Sequence, residues 1–121
     1  MVYFQALSAA AAIGTTVYDE GLRSTAENPK RLLSVLIQGW DKPSKDDMLQ
    51  IWHEQEKIAE IPYSLIDNVV ASNVVNMWSV NRINEIEVGF EIPVGAVVKV
   101  AIKAVEGGKS IIGAYRYEII T

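Results

Sequence analysis

The sequence contains no cysteine, which excludes disulfide bonds and thiolate metal sites. It has a single histidine, His53, so a histidine-based catalytic triad would have to be assembled around that one position. A zinc site would need three carboxylates in addition to His53, which is a rare ligand set. We therefore interpret His53 as a loop or surface histidine. The sequence predicts no catalytic residue, no metal and no cofactor, and hence no enzymatic activity.

Clusters of basic residues and long apolar runs are also missing. The eleven Lys and Arg residues are scattered and the net charge is −4, which disfavours duplex nucleic acid as a partner because neutralising phosphates requires clustered positive charge. Segment 1–14 is apolar, but it is too short and too rich in alanine for a membrane span of about 20 residues. No positive charge precedes Arg23, as a secretory signal would require. Segment 1–14 is therefore part of the fold or an inter-subunit arm, and a cleaved signal is the third alternative.

The sequence contains enough apolar residues to form one hydrophobic core. The chain has 121 residues, the usual size of a single domain. Half of the residues are hydrophobic and only 21% are charged, which is more apolar than an ordinary soluble surface requires. Partner subunits would cover part of this surplus. We therefore expect protein partners, as a homo-oligomer or a larger assembly.

The C-terminal half shows the clearest strand pattern. Between residues 85 and 92, glutamates and a glycine alternate with apolar residues, which predicts a strand with one buried face. Pro93–Gly95 interrupts this strand, and residues 97–105 resume the alternation. The pair Gly107–Gly108 favours a two-residue hairpin turn, so residues 110–120 are expected to return antiparallel. The three strands are predicted to form a meander.

Four segments upstream are also predicted to be strands, because apolar or β-branched residues are bounded there by turn-forming residues. The stronger two are 31–38 and 74–80. The weaker two, 2–7 and 15–18, are separated by an alanine run.

Segment 44–62 fits two structures. As a helix it would begin at a Ser44 N-cap and stop at Pro62; as a hairpin it would have strands at 48–52 and 57–61 around a polar turn. The β-branched and aromatic residues favour the hairpin, so at most one short helix is expected, around 45–60. Six to nine short strands at regular spacing predict an all-β chain, with residues 1–121 forming one two-sheet antiparallel sandwich with jelly-roll-like connections. Immunoglobulin-like connections are the alternative.

Three groups of residues could carry chemistry, and each also has an ordinary structural explanation. Glu85, Glu87 and Glu91 share a strand face with a spacing that suits calcium or a glycosidase pair, but any solvent-facing strand gives that spacing. Gly108–Ser110 matches the end of a phosphate-binding loop, but Lys103 stands where the first glycine should be. A sugar-stacking platform could draw on aromatic residues that are equally ordinary core and interface material, namely Trp40, Trp52, Trp78, Tyr3, Tyr18 and Tyr63.

The sequence pattern of two stretches resembles that of small jelly-roll structural proteins of virus particles, including those of archaeal viruses. The stretches are Asp47–Pro62 (DMLQIWHEQEKIAEIP) and Pro93–Ala104 (PVGAVVKVAIKA). The resemblance covers about half of the chain and transfers no functional residue. It implies a structural subunit of a virion or shell that contacts its neighbours through strand edges and apolar surface. The alternative is a carbohydrate- or ligand-binding β-sandwich module.

Overall fold

The computed structural model describes residues 1–39, 46–63, 84–105 and 107–120, which form nine β-strands and no α-helix. The strands make two antiparallel sheets. Sheet 1 has the order β1-β9-β4-β7, and sheet 2 has the order β2-β8-β5-β6, with β3 also paired to β8. The strand bounds are β1 Val2–Ala11, β2 Thr16–Tyr18, β3 Leu22–Arg23, β4 Lys30–Gly39, β5 Met48–His53, β6 Glu56–Pro62, β7 Asn84–Glu91, β8 Val97–Lys103 and β9 Lys109–Ile119.

The strand pairs are nested, which defines the topology. The β5–β6 hairpin lies innermost in the sequence, and around it β4 pairs with β7, β2 with β8, and β1 with β9. The chain is thus one long antiparallel ribbon that has rolled up, and the rolling adds the β4–β9 and β5–β8 pairs. This arrangement is a jelly roll. The predicted two-sheet sandwich with jelly-roll-like connections is confirmed.

The predicted three-stranded meander is wrong, although its three strands exist. Strands β7 and β9 lie in sheet 1 whereas β8 lies in sheet 2, so consecutive strands alternate between sheets. The turn at Pro93–Gly95 and the segment around Gly107–Gly108 carry the chain across the sandwich instead of back alongside the preceding strand. Period-two alternation identifies the buried face of a strand but not its neighbour, which is why the pairing was mispredicted.

The hairpin prediction for 44–62 is confirmed and the helix alternative is wrong. Strands β5 and β6 pair from Met48 opposite Pro62 to His53 opposite Glu56. Of the two turn residues between them, Glu54 has a φ of 54°. Glu54 also attaches the hairpin to the start of β8, because its N–H donates to the Val97 carbonyl and its Oε1 accepts the Val97 N–H at 3.0 Å.

The N-terminal segment is a strand of the sheet: β1 runs to Ala11 through the alanine run and pairs with β9 along its whole length. Residues 2–11 of segment 1–14 are therefore a strand of sheet 1. Strands at 31–38 and 15–18 are also present, as β4 and β2. The predicted strand at 74–80 lies outside the described residues.

Tyr115 joins the two sheets across the core. It projects inward from β9 and is fully buried. Its hydroxyl donates to Asp19 Oδ2 at 2.9 Å and accepts the N–H of Val100, on β8, at 2.9 Å. Burial raises the pKa of Tyr115 above its ordinary value, and the negative charge of Asp19 adds to this effect. The hydroxyl therefore stays protonated in the folded protein.

The Tyr115 bond to Val100 is needed because the edge of sheet 2 is interrupted. Strands β2 and β3 both pair with β8, but between them three residues, 19–21, lie opposite two residues of β8. The Asp19 N–H still donates to the Val100 carbonyl at 2.8 Å, whereas the Val100 N–H bonds to Tyr115. Gly21 makes this possible, with a φ of +93° and so little space that an added Cβ would lie 2.7 Å from the Val98 carbonyl oxygen.

We expect Gly21→Ala to destabilise the fold more than Gly14→Ala does. Gly14 also has a positive φ, +82°, but nothing lies within 4 Å of an added Cβ, so its substitution measures conformational strain alone, about 1–2 kcal/mol. Gly21→Ala adds a clash with backbone, worth about a further 1–3 kcal/mol. Urea unfolding of both variants gives the comparison, and equal losses would contradict the close contact at Gly21.

Tyr115→Phe should cost about 1–3 kcal/mol at neutral pH, because it leaves the Val100 N–H without its hydroxyl acceptor and removes a donor to Asp19. The difference between Tyr115→Phe and the wild type should shrink at alkaline pH. An unfolded tyrosine loses its proton near pH 10 whereas the folded Tyr115 keeps it, so the wild type loses about 1.4 kcal/mol per pH unit above that value. Urea unfolding of both proteins from pH 8 to 11.5 tests this, and a constant difference would contradict the raised pKa.

Candidate functional site

His53 is not a loop or surface residue as interpreted from the sequence. It lies at the end of β5, half-buried, with its ring 4.9 Å from the ring of Phe90. Its buried Nε2 atom has no hydrogen-bond partner. Phe90 is on the inward face of β7, whereas the glutamates of that strand point outward. The structure therefore does not bring His53 and the glutamates together.

The glutamates of β7 share the exposed face of the strand, as predicted, and two of them form ion pairs. Glu85 accepts a hydrogen bond from Ser34 Oγ at 2.6 Å and lies 3.6 Å from the guanidinium of Arg116. Glu91 lies 3.8 Å from Arg31. Among the described residues, no group of three or more His, Asp or Glu side chains is arranged to hold a metal ion.

The aromatic residues do not make a flat platform in the described parts of the chain. Tyr18 and Trp52 meet edge to face on the outer face of sheet 2, with ring centroids 5.9 Å apart and planes at 68°. Tyr3 stacks on Tyr117, and Tyr63 is fully buried. Trp40 and Trp78 lie outside the described residues.

A chain of polar contacts lies next to Trp52. Its indole N–H donates to Gln50 Oε1 at 2.9 Å, and the amide of Gln50 donates to Glu60 at 2.8 Å. Hydrogen bonds from Lys57 and Gln50 lower the pKa of Glu60. These polar groups thus bind one another on the outer face of sheet 2.

Lys109, the lysine of the Gly108–Ser110 segment, is buried in an ion pair. Its Nζ lies 2.9 Å from Asp47 Oδ2, and the two side chains are only 5% and 0% exposed. The ring of Tyr63 faces the ammonium group at 5.6 Å, and Asp47 also accepts the N–H of Val105. Lys109 is thus unavailable to a phosphate, and it joins three inter-sheet connections at one end of the sandwich.

Sequence reasoning missed this ion pair, although a signal was present. The alternation in β9 that places Ile111 and Tyr115 in the core also places Lys109 on the inward face. A lysine at an inward position requires a buried acidic partner, but which acid fills that role depends on the topology.

The outer face of sheet 1 is divided into a charged half and an uncharged half. The charged half lies toward the chain termini and contains the Arg31–Glu118 pair, at 2.7 Å, beside the glutamates of β7. The uncharged half, which we call the uncharged patch, crosses the sheet in two rows, Ala6–Ala114–Leu36 and Ser8–Ile112–Gln38.

The uncharged patch lines a shallow groove of about 810 Å³. Ile112 is 51% exposed there, and Asp19 and Glu20 also line the groove, beside β1. Asp19 is hydrogen-bonded to the Ser8 N–H and to the Tyr115 hydroxyl. The groove is therefore largely uncharged and open, and within it no nucleophile and general base are paired among the described residues.

The edge strands also differ in charge. In the described residues, β7 and β6 are edges that carry charged side chains on exposed positions, and the remaining edge of sheet 2 is broken into the short β2 and β3. Charges and short strands are the usual devices that prevent edge-to-edge pairing. Strand β1 has ten residues, no charge and no proline, and Phe4 on it is 59% exposed. Among the described edges, β1 is the one without such protection.

No protein-family model, no curated protein and no solved structure matches the chain. Within the described ranges, no helix is long and apolar enough to cross a membrane.

Lys109→Met should destabilise the protein by about 3–5 kcal/mol, because the Asp47 carboxylate would remain buried without its counter-charge. The double variant Asp47→Asn with Lys109→Met should be more stable than Lys109→Met alone, since an amide oxygen still accepts the Val105 N–H and no charge is left in the core. Lys103→Met, at an exposed lysine of β8, is the control and should change stability by less than about 0.5 kcal/mol. Thermal and urea unfolding measure all three, and a double variant as unstable as the single one would contradict the buried pair.

Proposed function

We propose that the protein is a non-enzymatic structural subunit of a macromolecular assembly, a component of a virion or shell, and that it contacts neighbouring subunits through the uncharged patch and the β1 edge. The observation that carries this proposal is the asymmetry of sheet 1. The uncharged patch and the β1 edge contain no charged residue, whereas the other half of the face and the other edge carry ion-paired arginines and glutamates.

The energetic reason is desolvation. Burying a charged side chain against a neighbour is costly unless a partner charge is supplied, whereas burying alanine, isoleucine or phenylalanine is favourable by about 25 cal/mol per Å² of apolar surface. Ile112 and Phe4, both more than half exposed, would therefore gain by contact with another subunit. The largely uncharged surface of the groove is also typical of the centre of an interface, where charged residues are depleted.

The topology supports the virion or shell part of the proposal. Double-sheet jelly rolls are used by viral capsid domains, and also by lectins and cupins. Because several functions share this fold, the topology supports the proposal only together with the uncharged patch and the resemblance of segments 47–62 and 93–104 to virion structural proteins.

A carbohydrate- or ligand-binding module is the second candidate. Tyr18 and Trp52 on the outer face of sheet 2 favour it, because the exposed Tyr18 and the half-buried Trp52 offer aromatic surface beside the carboxylate of Glu60. The edge-to-face angle of 68° weakens it, since sugar stacking uses a flat ring surface. Binding of a glycan array that is lost in Trp52→Ala, by a protein that stays monomeric, would favour this candidate over a structural subunit.

The assembly proposal predicts a concentration-dependent mass. Light scattering of the purified wild type should give masses above the 13.4 kDa of one chain. Ile112→Lys, which places a charge in the uncharged patch, should lower that mass without changing the unfolding midpoint, because Ile112 is 51% exposed. Val94→Lys is the matched control: Val94 is 60% exposed in the turn between β7 and β8, outside the patch, and its substitution should leave the mass unchanged. A wild type that remains a monomer throughout would refute self-assembly.

A further inference from the structure

The backbone of β1 presents hydrogen-bonding groups to its free edge. The N–H of Ser8 donates to Asp19 Oδ1 at 3.1 Å, so it points away from β9. In an antiparallel strand the direction of N–H and C=O groups alternates along the chain. The groups of Val2, Phe4 and Ala6 therefore point to the same side as those of Ser8, where no strand among the described residues pairs with β1.

The length of edge that can accept another strand is limited at both ends. β1 begins at Val2, and the side chain of Asp19 occupies the edge at Ser8. Gln5 adds a further contact to this segment, because its side-chain amide donates to the Gly21 carbonyl at 2.9 Å. The open stretch is Val2–Ala6, and its central residue is Phe4.

From this geometry we infer that β1 pairs antiparallel with β1 of a second copy of the chain across a two-fold axis at Phe4, an inference that rests on the proposed assembly function and specifies one of its contacts. A symmetric pairing of one segment with itself must be centred on the middle of that segment. Phe4 then lies opposite Phe4 of the partner subunit, and Val2 lies opposite Ala6 of the partner subunit. All three positions carry edge-directed groups, so the contact forms about six main-chain hydrogen bonds.

The occupant is a second copy because the edge requires an uncharged strand of similar length. Among the described edges, β7 and β6 carry charges and β2 and β3 are short. β1 itself meets the requirement, and an isologous two-fold contact is the commonest way in which identical chains associate. The aromatic pair at the axis adds a favourable cross-strand contact.

The absence of cysteine makes the register directly measurable. In the inferred pairing the two Phe4 Cα atoms face each other at about 5.5 Å, within the range that a disulfide spans. The variant Phe4→Cys should therefore form a disulfide-linked dimer under mild oxidation, more than about tenfold faster than Val94→Cys; Val94 is 60% exposed and Phe4 59%. Val2→Cys should react as slowly as Val94→Cys, but the double variant Val2→Cys with Ala6→Cys should cross-link.

Because Phe4→Cys removes the aromatic side chain at the centre of the inferred contact, a second measurement uses the wild type. Amide hydrogen exchange at Val2, Phe4 and Ala6 should slow as protein concentration rises, and Ala6→Pro should abolish this slowing, since proline removes an edge-directed N–H while leaving the pairing with β9 intact. If exchange at these amides does not change with concentration, and Phe4→Cys cross-links no faster than Val94→Cys, β1 self-pairing is overturned.

The outcomes separate this inference from the proposed function. An assembly that persists in Ala6→Pro but dissociates in Ile112→Lys overturns the edge pairing and keeps the structural-subunit proposal. If the β1 edge cross-links to a strand of a different protein and not to a second copy, the inference is also overturned. A wild type that stays at 13.4 kDa at every concentration overturns both.

Discussion

The hydroxyl group of Tyr115 is the contact on which much of the rest of the sandwich depends. By accepting the Val100 N–H it replaces a main-chain hydrogen bond that is missing from the irregular stretch between β2 and β3, and by donating to Asp19 it holds that stretch in place. Asp19 then reaches across to the Ser8 N–H of β1, in the other sheet. One buried phenol therefore sets how far the two sheets are joined along that side, and how much of the β1 edge remains open.

A second buried polar contact acts at the end of the sandwich where β4 leads to β5, β6 to β7 and β8 to β9. The Lys109–Asp47 pair brings the ends of these connections together, and Tyr63 covers it while donating its hydroxyl to the Ser110 carbonyl at 3.0 Å. Buried ion pairs add little net stability compared with apolar packing, but breaking one is costly. The pair therefore favours one arrangement of the crossing connections, while the core residues supply the main stabilisation.

Sequence patterns predicted the strands well and their neighbours poorly. The alternation in β7 and β8 correctly separated inward from outward side chains, because burial follows the period of the strand. It could not show that the two strands lie in different sheets, since pairing depends on where the chain returns after each turn. The alanine run gave no alternation at all, so β1 was expected to end at Leu7 and in fact continues to Ala11.

The same reasoning explains why the candidate site was only partly predictable. The apolar character of the N-terminal segment was evident, and it favoured contacts with neighbours. Its position as an edge strand beside an uncharged face follows from the jelly-roll order, which places β1 next to β9 and at the border of sheet 1. His53 was misplaced for the opposite reason, because a lone polar residue beside a turn gives no signal that its ring packs against Phe90.

The glutamates of β7 have a consequence for the size that any assembly reaches. When two copies join at β1, the described strands make a combined sheet of eight, and both borders of that sheet are β7. Each border displays Glu85, Glu87 and Glu91, so a further copy that approaches with its own β7 meets like charges. Pairing of β7 with β7 is therefore disfavoured, and in such a dimer fibre-like growth of the sheet is disfavoured with it. Further growth has to proceed from the faces of the sandwich, in directions set by subunit packing rather than by the hydrogen-bond ladder.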